Sequence, residues 1–431
     1  MIFKRHIFTV IIAVFLFFPS LGFAETKEII SEGTYNMGDG ETPSVAESRA
    51  LLQAKRTALE QAGTYVESWT KVENLQLTKD EIQVLASGIM EVEILDKKRT
   101  VVGDGFHFWV QIKARVNPDK IEEMAKRVKE KSVIEDYKKI QEAYDKSQRE
   151  IEELKKQLAG AKGEKEKKQV EAKITDEERL LQAIEWFEKG YEYGINGEYD
   201  REIEDYNKAI ALDPNYAQAY SNRGVAYYNK RQYDRAIEDY SKAIALDPNY
   251  AFAYLKRGFA YDDNKQYDRA IEDYNKAIAL NLNYAFVYNT RGVAYYNKRQ
   301  YDRGIEDLNK AIAINPNYAE AYNNRGIVYN NKGQYDRAIE DYNKAIALDP
   351  NYAKAYNNRG FAYANKGQYD RAIEDYNKAI ALDPNLAAAY SNRGIAYYNK
   401  KNMGRAISDL QKACDMGDED GCKKLQILQK R

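Results

Sequence analysis

Asn222, Asn324, Asn358 and Asn392 share one position of a 34-residue period, and Asn229, Asn297, Asn331, Asn365 and Asn399 share another, seven residues on. Seven residues of helix are two turns, so both rows would lie on one face. A carboxamide carries donors and an acceptor, as a peptide group does, and can read a main chain whatever its side chains are. The chemistry suggested is recognition, not bond making. Duplication that merely copied a tolerated polar residue would leave the same pattern. The rows are interrupted at Lys256, Thr290 and Asp263, and there Phe252, Leu255 and Phe286 appear. Apolar side chains clustered on an exposed face would anchor a partner. A Phe packed on the preceding repeat is the competing reading.

Little else could react. The chain has two histidines, His6 and His107, and the second falls in a strand-like pattern. No nucleophilic triad, metal cluster or phosphate loop can be assembled from the spacings. No catalytic residue, metal or cofactor is therefore assigned, and an enzyme is not expected. Lys+Arg total 66 against 67 Asp+Glu, so no basic track for nucleic acid is indicated.

Lys4 and Arg5, the apolar run 7–18 and the small residues Gly22 and Ala24 read as a signal peptide over 1–24. The run is short for a membrane span. This reading expects a protein exported to the periplasm, envelope or medium, without a transmembrane span after cleavage. An uncleaved anchor is the alternative. In an exported protein Cys414 and Cys422, in "ACDMGDEDGC", invite a disulfide.

The elements that must position the asparagines follow from the period. Gly190, Gly224, Gly258, Gly292, Gly326, Gly360 and Gly394 are each 34 residues apart. With the first repeat taken as 183–216, an aromatic stands at position 4 (Trp186, then Tyr220 to Tyr390). Tyr stands at position 11 and Ala at position 27. In "YDRAIEDYNKAIAL" the residues Ala338, Ile339, Tyr342, Ala345 and Ile346 form a helical stripe. Each repeat thus predicts two helices, broken at "NKGQ" and "LDPN". One such hairpin cannot bury its own apolar face, so repeats must stack. Three departures stand out: Leu282 in place of Pro, Gly304 in place of Ala, and Glu202 at the small position of repeat 1. Arg at position 7 and Asp at position 23 predict a structural ion pair.

These residues resemble the tetratricopeptide repeat, over seven repeats spanning 183–420. The resemblance implies a mainly α fold, an α-solenoid whose first helices line a concave groove with positions 2, 5, 6, 9, 12 and 13. It further implies a protein or peptide partner there. The position-6 row is similar to the asparagine ladder of the O-linked N-acetylglucosamine transferase superhelix. The apolar residues at position 9 do not fit a carboxylate clamp. The cysteine stretch resembles the ends of Sel1-like repeats, which implies that Cys414 and Cys422 join neighbouring helices, with a capping helix over 421–431.

The chain before the repeats has another grammar. "EIISEGTY" predicts a strand. Ser44 and Glu47 predict a capping box opening a helix through Ser68, and Thr78 with Glu81 a second box. In "GFHFWVQIKARV" Phe106, Phe108, Val110, Ile112, Ala114 and Val116 alternate, after "IMEVEILDKKR" and a "GDG" turn. Residues 25–118 are thus read as a small α+β domain, which resembles the N-terminal domain of a flagellar outer-ring assembly protein and small envelope lipoproteins. Residues 119–175 form a charged helical linker, ended by Gly160 and Gly163, and Thr175 with Glu178 would cap the next helix. Val133, Tyr137, Ile140, Tyr144, Ser147, Ile151, Leu154 and Leu158 alternate by four and three, the seam of a coiled coil. Residues 133–158 would then make a homo-oligomer, or else serve as a lone helical spacer. An adaptor with a peptide-binding groove is the leading expectation, and an envelope or flagellar-type assembly factor that oligomerises through the stalk is the other.

Overall fold

The computed structural model describes residues 26–37, 43–72, 82, 86, 90–102, 105–117, 131–282 and 284–429. The leader and the Thr78–Glu81 box lie outside these. The chain divides into two bodies at the Pro214–Asn215 peptide.

The N-terminal body begins with β1 (Lys27–Asn36), α1 (Pro43–Val72), β2 (Met90–Val102) and β3 (Gly105–Val116). The antiparallel sheet has the order β1-β3-β2, with an irregularity in β2 between Ile94 and Asp96. The alternation expected of β3 holds from Phe108 to Val116, whose buried faces share one core with Ala46, Ala50, Ala54, Ala58 and Ala62. Alanine at every fourth residue makes α1 flat enough for the backbones to meet. A Cβ on Gly33 would stand 2.0 Å from the Ala50 carbonyl oxygen. Pro43 is itself the first helical residue, where its missing N–H is harmless. Ser44 therefore lies inside the helix and is not its cap, and the helix runs past Ser68 to Val72.

The linker is neither a lone spacer nor a free coiled-coil strand. Helix α2 (Lys131–Gly160) turns at Ala161–Gly163 and packs back along α3 (Glu164–Ile195). The expected seam residues Ile140, Tyr144, Ser147 and Ile151 are buried within this body; the side chains of Val133 and Tyr137 are outside the described residues. Arg56 of α1 lies over the Tyr144 ring, 5.0 Å from its centre, and pairs with Asp145 at 3.3 Å. Leu154 and Leu158, further along the seam, are half-exposed, so the chain itself covers the middle of the seam. Helix α3 also runs through the expected break at Thr175, whose hydroxyl donates to the Glu171 carbonyl at 3.0 Å. Its last turns are the first helix of repeat 1: Phe187 packs on Tyr206 of α4 (Tyr199–Leu212), while Tyr191 and Ile195 reach the α+β core. Glu202 occupies the usual alanine position because Gly194 makes room; a Cβ at 194 would meet its carboxylate at 2.6 Å. Burial pushes Glu202 up to about 8.

The C-terminal body holds repeats 2–7. Their first helices are α5 (Ala217–Asn229), α7 (Ala251–Asp263), α9 (Ala285–Asn297), α11 (Ala319–Asn331), α13 (Ala353–Asn365) and α15 (Ala387–Asn399). The second helices are α6 (Tyr233–Leu246), α8 (Tyr267–Ala279), α10 (Tyr301–Ile314), α12 (Tyr335–Leu348), α14 (Tyr369–Leu382) and α16 (Met403–Asp415). Within a repeat the two helices nest on the position-8 glycine. A Cβ on Gly326 would stand 2.6 Å from the Tyr342 ring. The expected ion pair is a two-toothed fork, as in Arg325 Nε to Asp341 Oδ2 at 2.8 Å and Nη2 to Oδ1 at 2.6 Å. The third arm of the fork reaches back one repeat, from Arg325 Nη1 to Asn309 Oδ1 at 2.6 Å. One arginine thus holds two repeats together, which lysine's single point charge could not do. Cys414, in α16, is paired in space with Cys422 of α17 (Glu419–Gln429), with Cα atoms 4.6 Å apart.

Most repeats close on "DPN". Proline forces the residue before it into the extended region, and Asp247, Asp349 and Asp383 all have φ between −134° and −132°. The aspartate side chain then accepts the N–H two residues on, as from Asn351 to Asp349 at 2.9 Å. Between repeats 3 and 4 the proline is replaced by Leu282. Asn281 is released into the left-handed region, at φ +67°. The Leu282 N–H bonds the Ala277 carbonyl at 3.0 Å and its side chain enters the core, closing α8 in a Schellman-type end. Tyr284, half-buried at the corresponding position of repeats 4 and 5, is here exposed.

Candidate partner-binding groove

In the C-terminal body successive first helices approach one another, in all but the pair flanking Leu282, more closely than successive second helices do. Elements on the inside of a curved stack crowd, so the first helices form the inner wall. Two lines of polar contacts run along it.

The first line joins position 6 to position 5 of the preceding repeat. Asn324 Nδ2 donates to Asn289 Oδ1 at 3.0 Å, Asn358 to Asn323 at 2.9 Å and Asn392 to Asn357 at 3.1 Å. The acceptors Asn289, Asn323 and Asn357 are buried, whereas Asn324, Asn358 and Asn392 are half-exposed. Each position-6 carboxamide uses one N–H to hold its neighbour, and the Asn324 and Asn358 carbonyls accept from Asn323 and Asn357 at 3.5 and 3.4 Å; a second N–H and one carbonyl lone pair remain. These asparagines are stacking elements. Asn222 is half-exposed too.

The second line joins position 13 to position 12 of the repeat before. Asn331 Nδ2 donates to the Tyr296 hydroxyl at 3.1 Å and also to its own Ile327 carbonyl at 2.9 Å. Asn297 stands opposite Asp262 in the same register, and the Tyr228 hydroxyl donates to Asp263. All the position-13 side chains, Asn229, Asn297, Asn331, Asn365 and Asn399 among them, are exposed. Burial first, then the neighbouring Asp263 carboxylate, pushes Asp262 up to about 6.

The apolar interruption divides. Leu255 is 1% exposed and belongs to the core of repeats 3 and 4 with Ile271, Tyr274, Leu282 and Val287. It fills the place an amide takes elsewhere and cannot touch a partner, which corrects its expected role. Phe252 and Phe286 are 38% and 37% exposed. Phe286 also packs on Phe259 of the preceding repeat, ring centres 6.2 Å apart, while part of its surface stays open. By the same register Phe361 faces Ala388, which is too short to cover it, and Phe361 is 42% exposed. The signal for Phe361 was readable: a large residue at position 9 followed by a small one at position 2. Asp262 was overlooked as well, although "YDDN" is the one acidic pair among the "YYNK", "YNNK" and "YANK" stretches.

Models described as tetratricopeptide repeat match residues 217–250, 251–284, 285–318, 308–340, 353–386 and 387–416, and one described as TPR repeat matches 190–231 and 328–367. Together they span more than half the chain. The chain belongs to the tetratricopeptide-repeat family, and its class is a protein-interaction scaffold. No curated protein matches it. Among solved structures, MamA is 34% identical over 40% of this chain and 93% of its own, with a TM-score of 0.36. YrrB, described as a TPR protein with an unusual peptide-binding site, is 28% identical over 43% and 96%, with a TM-score of 0.37. A tetratricopeptide repeat protein from Parabacteroides merdae is 22% identical over 58% and 99%, with a TM-score of 0.51, a likeness of fold.

Proposed function

We propose that this chain is an exported adaptor of the cell envelope that grips a partner protein in extended form along the first-helix wall of repeats 2–7. The observation that carries the reading is the row Asn324, Asn358 and Asn392, each pinned by one N–H to the repeat before and half-exposed, with its second N–H left for a partner. A donor–acceptor group already fixed in direction loses little side-chain entropy on meeting a main chain. Phe252, Phe286 and Phe361 add apolar anchors to this polar wall. Export rests on the leader pattern and agrees with the joined Cys414–Cys422 pair, a cross-link that persists in oxidising compartments. Assembly through a self-associating stalk is the second reading, and the packing of Ile140, Tyr144, Ser147 and Ile151 inside the chain weighs against it.

The test is site-specific photocrosslinking in intact cells that export the protein. A benzophenone side chain replacing Asn331 should trap a partner, whereas one replacing Lys344, exposed on a second helix, should not. Equal trapping at both positions would remove the groove from the account. The paired change Phe252→Ala and Phe286→Ala should lower capture severalfold with a small shift in melting temperature.

A further inference from the structure

We propose that repeat 3 carries a pocket for a cationic side chain, lysine or arginine, of the bound peptide, formed by Asp262 and Asp263 with Tyr228, Tyr274 and Asn297. The proposal rests on the groove reading above and names what the groove selects.

At positions 12 and 13 the other repeats of the C-terminal body have Tyr–Asn, Asn–Asn or Ala–Asn. Repeat 3 alone sets two carboxylates side by side. The groups facing them are neutral: the Asn297 amide stands by Asp262, and the Tyr228 hydroxyl donates to Asp263. Neither carboxylate forms an ion pair among the described residues, and no cation acts on Asp262 to offset its neighbour. One oxygen of Asp262, Oδ1, is shielded from solvent and accepts no hydrogen bond.

A second observation is independent of the acidic pair. Tyr274, from the second helix of the same repeat, is fully buried, and its hydroxyl has no hydrogen-bond partner. Its ring lies on Gly258, with Cζ 3.2 Å from where a Cβ would stand there. Asp262 is one turn further along the same face, so the hydroxyl lies beside the notch, and burial, then the Asp262 carboxylate, keeps it protonated. A buried hydroxyl and a buried carboxylate oxygen, both unmatched, form an arrangement that folding alone would not favour. A guanidinium or ammonium group supplies donors only. It would satisfy Asp262 Oδ1, offset both carboxylates and leave the Tyr274 hydroxyl free to donate to Asp262. Phe259, one turn before Asp262, and Phe286 packed on it would cover the aliphatic stem of such a side chain.

The test uses the full exported chain, immobilised, and three degenerate ten-residue peptide libraries with Lys, Glu or Leu fixed at the centre. The wild type should retain the Lys library about tenfold over the Glu and Leu libraries. Asp262→Asn with Asp263→Asn gives repeat 3 the pair that repeat 5 already carries, so folding is expected and is checked by thermal melting. In this variant Lys and Leu retention should become equal while Leu retention is unchanged. The exposed single change Asp263→Asn, expected to lose part of the preference, serves if the double variant melts early. Retention of all three libraries without preference, or a Lys preference that survives in the variants, overturns the pocket and leaves the groove standing. Retention of none overturns both.

Discussion

Repeats 4–7 and repeats 2–4 are built on one template yet are held together differently. In the later stretch each first helix is tied to the next by a buried amide, Asn289, Asn323 or Asn357, receiving an N–H from position 6. In the earlier stretch the corresponding places hold Ser221 and Leu255, with Lys256 and Thr290 opposite. Thr290 turns its hydroxyl to its own Phe286 carbonyl, 2.9 Å away, and the joint is made by Leu255, Leu282 and the Phe259–Phe286 pair. The lesson is that the stack tolerates two cements. Directional amides fix the spacing of helices and leave polar groups facing the groove. Apolar packing leaves exposed aromatic surface, room for an acidic notch, and a junction ended by Asn281 in place of Asp–Pro.

The largest effect should come from breaking the apolar cement. Leu255→Ala removes a fully enclosed side chain and should cost about 3 kcal/mol, seen in denaturant unfolding as early loss of repeats 3 and 4. An unchanged midpoint would show that this joint does not rest on Leu255. Next, Asn323→Ala strips the Asn358 amide of its acceptor and should cost about 1–2 kcal/mol. Ser221→Ala, at the same position in the other stretch, should cost less than about 0.5 kcal/mol. Equal costs would erase the distinction between the stretches.

A pH series sharpens the comparison further. Asp262 has its folded value raised to about 6 from an ordinary 3.8. The native state therefore holds this proton after the unfolded chain has lost it. Stability should fall as pH rises from about 4 to 6 and level off above, by about 1 kcal/mol given its partial exposure. Asp262→Asn should abolish that component; a profile identical to wild type would count against it. The smallest effect is expected at the exposed rungs Lys298–Asp268 and Lys332–Asp302, one in each stretch. Lys298→Ala and Lys332→Ala should each change stability by less than about 0.5 kcal/mol. A clear difference between them in thermal melts would mean that surface charge, too, distinguishes the two stretches.

The repeat boundaries, the helix pairs and the Arg–Asp fork were legible because their causes are local or recur at a fixed spacing. A glycine 34 residues from the last, a proline closing a turn and a stripe of alanines each state their role in the sequence. The N-terminal strands were legible for the same reason. Less legible was α3, where Thr175 and Glu178 imitate a helix start inside a helix stabilised by α2 and by the core beneath Tyr191. A capping pattern is only a preference worth about 1 kcal/mol, and packing along a long helix exceeds it. The seam of α2 was visible, but not whether its partner was another chain or its own next helix.

The sequence by itself determined that this is a stack of helical hairpins with asparagines on one face and an interruption near repeats 3 and 4. Periodicity suffices for that, because side chains at helical spacing share a face wherever the helix goes. Only the tertiary structure decided that Leu255 is core and that each Asn at position 6 from repeat 5 onward holds the repeat before it. Those facts depend on which residue of one repeat meets which residue of the next, a distance of about 35 positions that no local pattern encodes.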